Sequence, residues 1–352
     1  MTRLLQGPKI WNVAVIDNID FKDQTFYYGN IYDATRTSSH ATVRMIFQFT
    51  LSKTLQEIQE GLTDSYPEPP LFGLSEKVDL WCTKCDEVFD RLLHRSFDFD
   101  NNTVHQMLQD AVEAGCNLPT PNVVILKPGK EPNSNTNVFE ACEWFWNDLT
   151  TKNSEKDFHV DIVADEAIFR RLISYHAAQP LVRPFLGQWH TNKAMCSVLI
   201  TAFSGYGIFD WAARLGVIFL DKLDSAVDYR STCLTLDLIW VAVGIALHRY
   251  ASNHELLLKN IECGNNDVEK ILYLYYRWAG FWKGHRLGIR TGNFDMQMEN
   301  LAAFAPLFPA TGKNNYTRST VYFLSYLHSS PEQKALLQHA CSGNGKSGKV
   351  GT

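Results

Sequence analysis

Acidic side chains that follow apolar runs are the first candidates for chemistry in this chain. Asp17 and Asp165 each end a short apolar run that is typical of a buried strand. Asp295 and Glu299 lie four residues apart, so a single helix would carry both on one face. Mg²⁺ accepts carboxylate oxygens, so all four side chains are candidate metal ligands. Structural alternatives stay open: Asp17 can organise a turn, Asp165 can cap a helix, and the later pair can form a solvated helix face.

A histidine and two cysteines extend the set of candidate residues. His190 ends the predicted strand that contains Phe185, where it is either catalytic or a core or capping residue. Cys82 and Cys85 have the spacing of half a zinc tetrahedron, but no second pair follows at zinc-finger distance. The segment 77–93 indicates one amphipathic helix that would pack both cysteines against the core. We therefore expect packing, and zinc is not expected.

Basic residues concentrate in one late segment of an otherwise acidic chain. The formal net charge of the whole protein is −5, so a polyanionic partner would have to be met locally. The candidate phosphate-binding residues are Arg277, Lys283, Arg286, Arg290, Lys313 and Arg318. Aromatic residues that interleave with them, such as Trp278 and Trp282, could stack on unpaired bases. The alternative is that the aromatic residues form core while the basic residues face solvent.

Hydrophobic periodicity predicts an α/β fold. Strands are predicted at 10–16, 25–32 and 40–49, and short connectors suggest that they form an antiparallel meander. A helical insert then covers about residues 52–118. After it, strands alternate with helices, which is the α/β pattern; the strands are 122–126, 158–164 and 182–188, and the helices are 137–151, 166–176 and 191–203. Beyond Gly207 almost only helices are predicted.

This pattern divides the chain into an α/β core at 1–206, an all-helical region at 207–341 and a disordered tail at 342–352. The most apolar run, Leu238 to Leu247, is about half the ~20 residues needed to cross a bilayer, so we expect a buried helix and no membrane partner. No secretory signal is visible, and the scattered cysteines suit reduced thiols. An intracellular location is therefore expected.

The element order resembles the ribonuclease-H-like core of cut-and-paste, Mutator-like transposases. The phrases Leu186–His190 and Asn315–Ser319 are similar to those of a group of fungal, transposon-derived proteins, and the resemblance extends over about residues 11–327. It implies a mixed sheet in which an antiparallel meander is joined by parallel strands, with a large all-helical insertion and C-terminal helices. It also implies DNA as the partner, a nuclear location and possible homo-oligomers.

In that family, acids from the first strand, the fourth strand and a later helix hold two divalent cations for phosphodiester hydrolysis and strand transfer. The resemblance thus implies that Asp17, Asp165 and Glu299 bind Mg²⁺ or Mn²⁺, with Asp295 as the alternative third acid. His190 would orient the phosphate or the attacking water. The alternative function is a catalytically inactive, co-opted scaffold that binds nucleic acid or protein through the basic and aromatic helical face.

Overall fold

A five-stranded mixed sheet and a set of α-helices make up the described part of the chain, which confirms the α/β prediction. The computed structural model describes residues 3–22, 38–60, 71–94, 101–113, 115, 118–150, 159–218, 220–226 and 228–341. The chain divides into two compact units. Unit 1 comprises Met1–Gly61 and Leu118–Gly187, and unit 2 comprises Leu62–Asn117 and Gln188–Thr352. The tail predicted at 342–352 lies outside the described residues.

The elements are numbered here in chain order. The strands are β1 (Ile10–Lys22), β2 (Ser38–Thr50), β3 (Asn122–Ile125), β4 (Val160–Ala164) and β5 (Val182–Leu186). The helices are α1 (Leu55–Glu60), α2 (Glu76–His94), α3 (Asn101–Asp110), α4 (Asn135–Thr150), α5 (Glu166–Ala178), α6 (Gln188–Phe203), α7 (Ile208–Arg214), α8 (Tyr229–Asn253), α9 (Asp267–Thr291), α10 (Phe294–Phe304), α11 (Leu307–Ala310), α12 (Asn314–Ser329) and α13 (Pro331–Cys341).

The sheet of unit 1 has the strand order β3-β2-β1-β4-β5. Its first three members are antiparallel, whereas β4 runs parallel to β1 and β5 runs parallel to β4. Alternate residues of β1 and β4, among them Ile16 and Ile162, point into a core that α4 and α5 supply with Phe145 and Leu172. The opposite alternate residues therefore share the other face of the sheet.

The antiparallel half of the sheet differs from the predicted meander. The second neighbour of β2 is β3, which follows β2 only after a long helical segment. The strand predicted at 25–32 lies outside the described residues. Consecutive strands usually pair, and the apolar runs alone could not reveal that the chain leaves the sheet before the third strand is added.

Apolar helices form the interior of unit 2. The helix α8 is long and apolar enough to cross a membrane, but 67% of its most apolar window is buried inside the structure, as the buried-helix prediction requires. Trp240 of α8 stacks on Tyr276 of α9 with ring centroids 5.4 Å apart, and its Nε1 donates to the Tyr276 carbonyl. Cys82 and Cys85 lie on the buried face of α2, so the packing interpretation of this pair is confirmed.

A buried histidine joins α8 to α2. His248 is 4% exposed; its Nδ1 lies 2.8 Å from Asp90 Oδ1, and its ring stacks on Phe89. Its Nε2 lies 3.6 Å from Asp86 Oδ1, which also accepts from the Tyr276 hydroxyl. Burial by itself would lower the pKa of His248, but the two carboxylates outweigh burial and raise this pKa above its usual value. The folded protein therefore binds this proton more tightly than the unfolded chain.

The free energy of unfolding is expected to fall as the pH rises through the raised pKa of His248. The stabilisation by the protonated ring is complete below the unfolded pKa of about 6.5 and is lost above the folded pKa. Urea unfolding at a series of pH values measures this slope. His248→Gln should flatten it, because glutamine does not titrate. Equal slopes for the parent and for His248→Gln would contradict the assignment.

Candidate active site

Asp17 and Asp165 occupy neighbouring positions at one edge of the sheet. The parallel ladder between β1 and β4 pairs Ile16 with Ala164, and the next residue of each segment is one of the two acids. Ile16 and Ala164 point into the core, so alternation sends Asp17 and Asp165 to the opposite face. Asp165 has extended backbone angles (φ −64°, ψ 172°), which keeps the alternation valid there. The two carboxylates therefore emerge on the same face, and neither is fully buried.

Asp17 lies within a strand and not at its end. The strand β1 continues to Lys22 because β2 continues to pair with it, and Asp17 itself faces Val43. The prediction that Asp17 closes the strand is therefore wrong, and so is the turn alternative. What ends at Ile16 is only the ladder with β4. Asp17 Oδ1 accepts a hydrogen bond of 2.8 Å from the backbone N–H of Asn18.

Asp165 caps the helix α5. Its Oδ1 accepts the backbone N–H of Ile168 at 2.9 Å, so the capping alternative is confirmed. A carboxylate offers about four acceptor sites, so this single hydrogen bond leaves capacity for a cation. The amino-terminal end of α5 also favours the ionised form of the side chain, since the helix dipole is positive there. Capping and cation binding are therefore compatible at Asp165.

Gly187 fixes the backbone that leads into Asp165. Its N–H donates to the carbonyl of Ala164 at 2.7 Å. A Cβ atom at position 187 would lie 2.8 Å from that carbonyl oxygen, which is closer than side chains approach backbone atoms. Any larger residue would therefore displace the end of β4 and the acid that follows it. In the sequence, this glycine is notable only as a member of the phrase Leu186–His190.

Another acid on the same face is already neutralised. Asp161 of β4 is 1% exposed and accepts two hydrogen bonds from Arg183 of β5, at 2.5 and 2.8 Å. Trp11 Nε1 donates to it at 2.7 Å. Asp161 is opposite Arg183 in the parallel register, so the pair is built into the sheet. The one sequence signal of this pair is an acid inside an apolar strand, which indicates a buried partner. With its oxygens occupied, Asp161 is a structural residue.

The two candidates for the third acid belong to unit 2 and lie close to each other. Asp295 and Glu299 are one turn apart on α10 and line one groove. Lys77 Nζ lies 2.7 Å from Asp295 Oδ2, and Gln338 donates to Oδ1 at 2.8 Å. Burial alone would raise the pKa of Asp295, but these two partners hold it below its usual value. No ion pair or hydrogen bond joins the Glu299 side chain to any described residue, so it is the more available acid.

His190 lies in the first turn of α6 and not at the end of a strand as predicted. The reason is local: β5 ends at Leu186, and the helix begins directly after Gly187. The ring of His190 meets the ring of Trp189 edge-on with centroids 4.8 Å apart, and its carbonyl accepts from the Tyr316 hydroxyl. Among the described residues, no three His, Cys, Asp or Glu side chains form a group that could hold a metal ion.

Two of the six predicted phosphate-binding residues are paired with an internal acid instead: Lys283 is buried, and the Arg286 side chain is 14% exposed. Lys283 is 2% exposed, and its Nζ lies 2.8 Å from Asp237 Oδ1. Arg286 Nη1 lies 2.6 Å from Asp237 Oδ2, and its guanidinium packs over the ring of Trp282, which is fully buried. The predicted surface role of Lys283 and Arg286 is therefore wrong, because a buried acid on α8 draws both cations inward. His285 is also fully buried, and burial lowers its pKa to about 3.

The other four basic residues remain nearer to solvent. Arg277 lies 3.7 Å from Asp79 and packs over the ring of Phe281. Arg290 is exposed, with Nη1 3.2 Å from His105 Nε2. Lys313 precedes α12, and Arg318 is exposed on that helix; these are the remaining two members of the predicted set.

Comparisons with protein-family models, with curated proteins and with solved structures find no match for this chain. The sheet and the acids that it positions are therefore the features that bear on function.

Proposed function

We propose that this chain is a transposase-derived, ribonuclease-H-like protein that acts on DNA by two-metal phosphodiester hydrolysis and strand transfer. Support comes from the strand order β3-β2-β1-β4-β5, with three antiparallel strands followed by two parallel ones. This is the arrangement that the resemblance implies, with the helical segment inserted before β3 and not after a complete meander. The order of the elements α4, β4, α5, β5 and α6 also agrees with it.

The single observation that carries the proposal is the register between β1 and β4. Neighbouring strands lie about 4.8 Å apart, so acids that directly follow the pair Ile16 and Ala164 can share one cation or flank two. The donor set fits Mg²⁺ or Mn²⁺, which take carboxylate oxygens. Bound cations would supply an activated water or 3′ hydroxyl and would stabilise the leaving oxygen.

The residues of the chain have separate tasks in this proposal. Asp17 and Asp165 supply the negative charge that holds the cations, and the hydrogen bond from Ile168 fixes the orientation of the Asp165 carboxylate. Of the two acids on α10, Glu299 is the more available, because Asp295 is already paired with Lys77.

Calorimetric titration with Mn²⁺ tests ligation directly. The parent protein is expected to bind Mn²⁺, and Asp17→Asn and Asp165→Asn should each weaken binding by at least about tenfold, or 1.4 kcal/mol. Glu143→Gln is the matched control, because Glu143 is exposed on α4, which covers the opposite face of the sheet. Affinities that are equal in the parent and Asp165→Asn would overturn the proposal.

The alternative proposal, a scaffold that binds through the basic and aromatic helical face, has less support. Lys283, Arg286 and Trp282 were central to that face and are engaged in the interior. A scaffold of this kind would have to use the exposed Arg290 and Arg318 instead.

A further inference from the structure

Two buried cysteines of unit 2 lie side by side on different helices. Cys196 of α6 and Cys233 of α8 have their Sγ atoms 3.9 Å apart, and neither is exposed to solvent. A disulfide requires about 2.05 Å between the sulfur atoms. The two sulfur atoms are thus neighbours that are not bonded, and they would have to approach by about 1.9 Å to form a disulfide.

The surroundings of Cys233 favour its thiolate. Lys283 and Arg286 share only one buried acid, Asp237, so this interior region carries one more positive than negative charge. The hydrogen bond from Cys196, together with Arg286, outweighs burial and lowers the pKa of Cys233. An anionic sulfur at this position would balance the excess cation.

The partner thiol keeps its proton. Burial raises the pKa of Cys196 well above its usual value, and Cys196 is then the hydrogen-bond donor to the Cys233 sulfur. A thiol with a lowered pKa beside a thiol with a raised pKa is the arrangement of an attacking and a resolving cysteine. Tyr229 interacts with both cysteines, and its ring meets that of Trp189, which is 47% exposed.

Other buried cysteines in the described residues lack these features. Burial raises the pKa of Cys82 and that of Cys142 to about 12. Burial also raises the pKa of Cys85, and the neighbouring Cys82 raises it further. These thiols stay protonated near neutral pH and are poor nucleophiles. Reactivity should therefore be confined to one pair among the buried thiols.

We propose that Cys233 and Cys196 form a dithiol that reacts with hydroperoxides and closes to an intramolecular disulfide between α6 and α8. The Cys233 thiolate attacks one peroxide oxygen, the O–O bond breaks, and Cys233 becomes a sulfenic acid while hydroxide leaves. The Cys196 sulfur then attacks the Cys233 sulfur as its proton is lost, the S–O bond breaks, and water departs. Overall, two thiols and one hydrogen peroxide give one disulfide and two waters, so the peroxide is reduced as the cysteines are oxidised.

The test is oxidation of the intact, folded chain with hydrogen peroxide, followed by non-reducing peptide mapping. A cross-linked peptide that contains Cys196 and Cys233, lighter by two hydrogens than its parts, is expected. Cys196→Ser should leave a sulfenic acid on Cys233 that dimedone traps, and Cys233→Ser should give neither product. Cys82→Ser is the matched control and should oxidise as the parent does. Circular dichroism verifies that each variant is folded.

Arg286→Gln supplies a readout that depends on the thiolate. Loss of the cation should slow disulfide formation at neutral pH by about tenfold, as a rise of one pKa unit would, and higher pH should restore the rate. The proposal is overturned if the exposed Cys263 oxidises while no Cys196–Cys233 cross-link forms, or if Cys233→Ser forms product as fast as the parent. The outcome is independent of the proposed nuclease function, because no metal and no DNA take part.

Discussion

Replacement of Asp165 by asparagine is expected to lower Mg²⁺-dependent cleavage of DNA by about 10³-fold, which corresponds to about 4 kcal/mol of transition-state stabilisation. The fold should be unaffected. Asparagine caps helices as well as aspartate does, so the hydrogen bond to the Ile168 N–H is kept while the negative charge is lost. The change therefore separates the two tasks of this side chain.

Asp165→Ala provides the complementary comparison. Alanine removes both the cap and the charge, so it should lose about 1 kcal/mol of stability in addition to the activity. Asp17→Asn should reduce cleavage as strongly as Asp165→Asn, because the two acids are equivalent neighbours in the register of β1 and β4. Cleavage of a labelled DNA strand at saturating Mg²⁺, with urea unfolding of the same samples, measures both quantities.

Two outcomes would contradict this prediction. A parent protein that binds Mn²⁺ but does not cleave DNA would support a metal site without the proposed chemistry. Cleavage by Asp165→Asn at the rate of the parent would instead mean that the activity does not use this edge of the sheet. Glu143→Gln is again the control, since its side chain is exposed on α4 and should leave the rate unchanged.

Much of this edge of the sheet could be predicted from local sequence. The apolar runs before Asp17 and Asp165 indicated β1 and β4, and the helix signal after Asp165 indicated α5. Once the strands were placed in order, the proximity of the two acids followed from the parallel register. The place of β3 could not be read in this way, because it pairs with β2 across a long insertion. Periodicity describes a segment and not its distant partner.

Local sequence signals also could not show that two of the predicted surface cations, Lys283 and Arg286, pair with an internal acid. The spacing of Trp278, Phe281 and Trp282 correctly suggested a core stripe as the alternative. Whether Lys283 lies inside or outside depended on an acid in another helix, Asp237, and nothing near Lys283 in the sequence reveals that acid. His190 was misplaced for a different reason, since the close approach of Gly187 to the Ala164 carbonyl ends β5 early.

Asp237→Asn is expected to destabilise the protein by about 3–5 kcal/mol, because it leaves one buried and one largely buried cation without their counter-ion. The Asp237 side chain is 7% exposed and those of Lys283 and Arg286 are 3% and 14% exposed, so water can replace little of the lost interaction. Burial would raise the pKa of Asp237, but the cations more than offset it and hold the pKa below its usual value. This stabilisation is present above the unfolded pKa and is lost as the pH falls through the lowered folded one.

Two further variants show whether charge is the cause. Asp79→Asn removes the acidic partner of Arg277, which lies on α9 as Lys283 and Arg286 do. The Asp79 side chain is 62% exposed and lies 3.7 Å from Arg277, so its loss should lower the free energy of unfolding by only about 0–1 kcal/mol. Lys283→Met, introduced into Asp237→Asn, restores the original excess of one cation and should recover part of the lost stability, since methionine fills most of the same space. Urea unfolding of the four proteins measures the differences. If Lys283→Met fails to rescue Asp237→Asn, the loss reflects altered packing around Trp240 and not an unpaired charge.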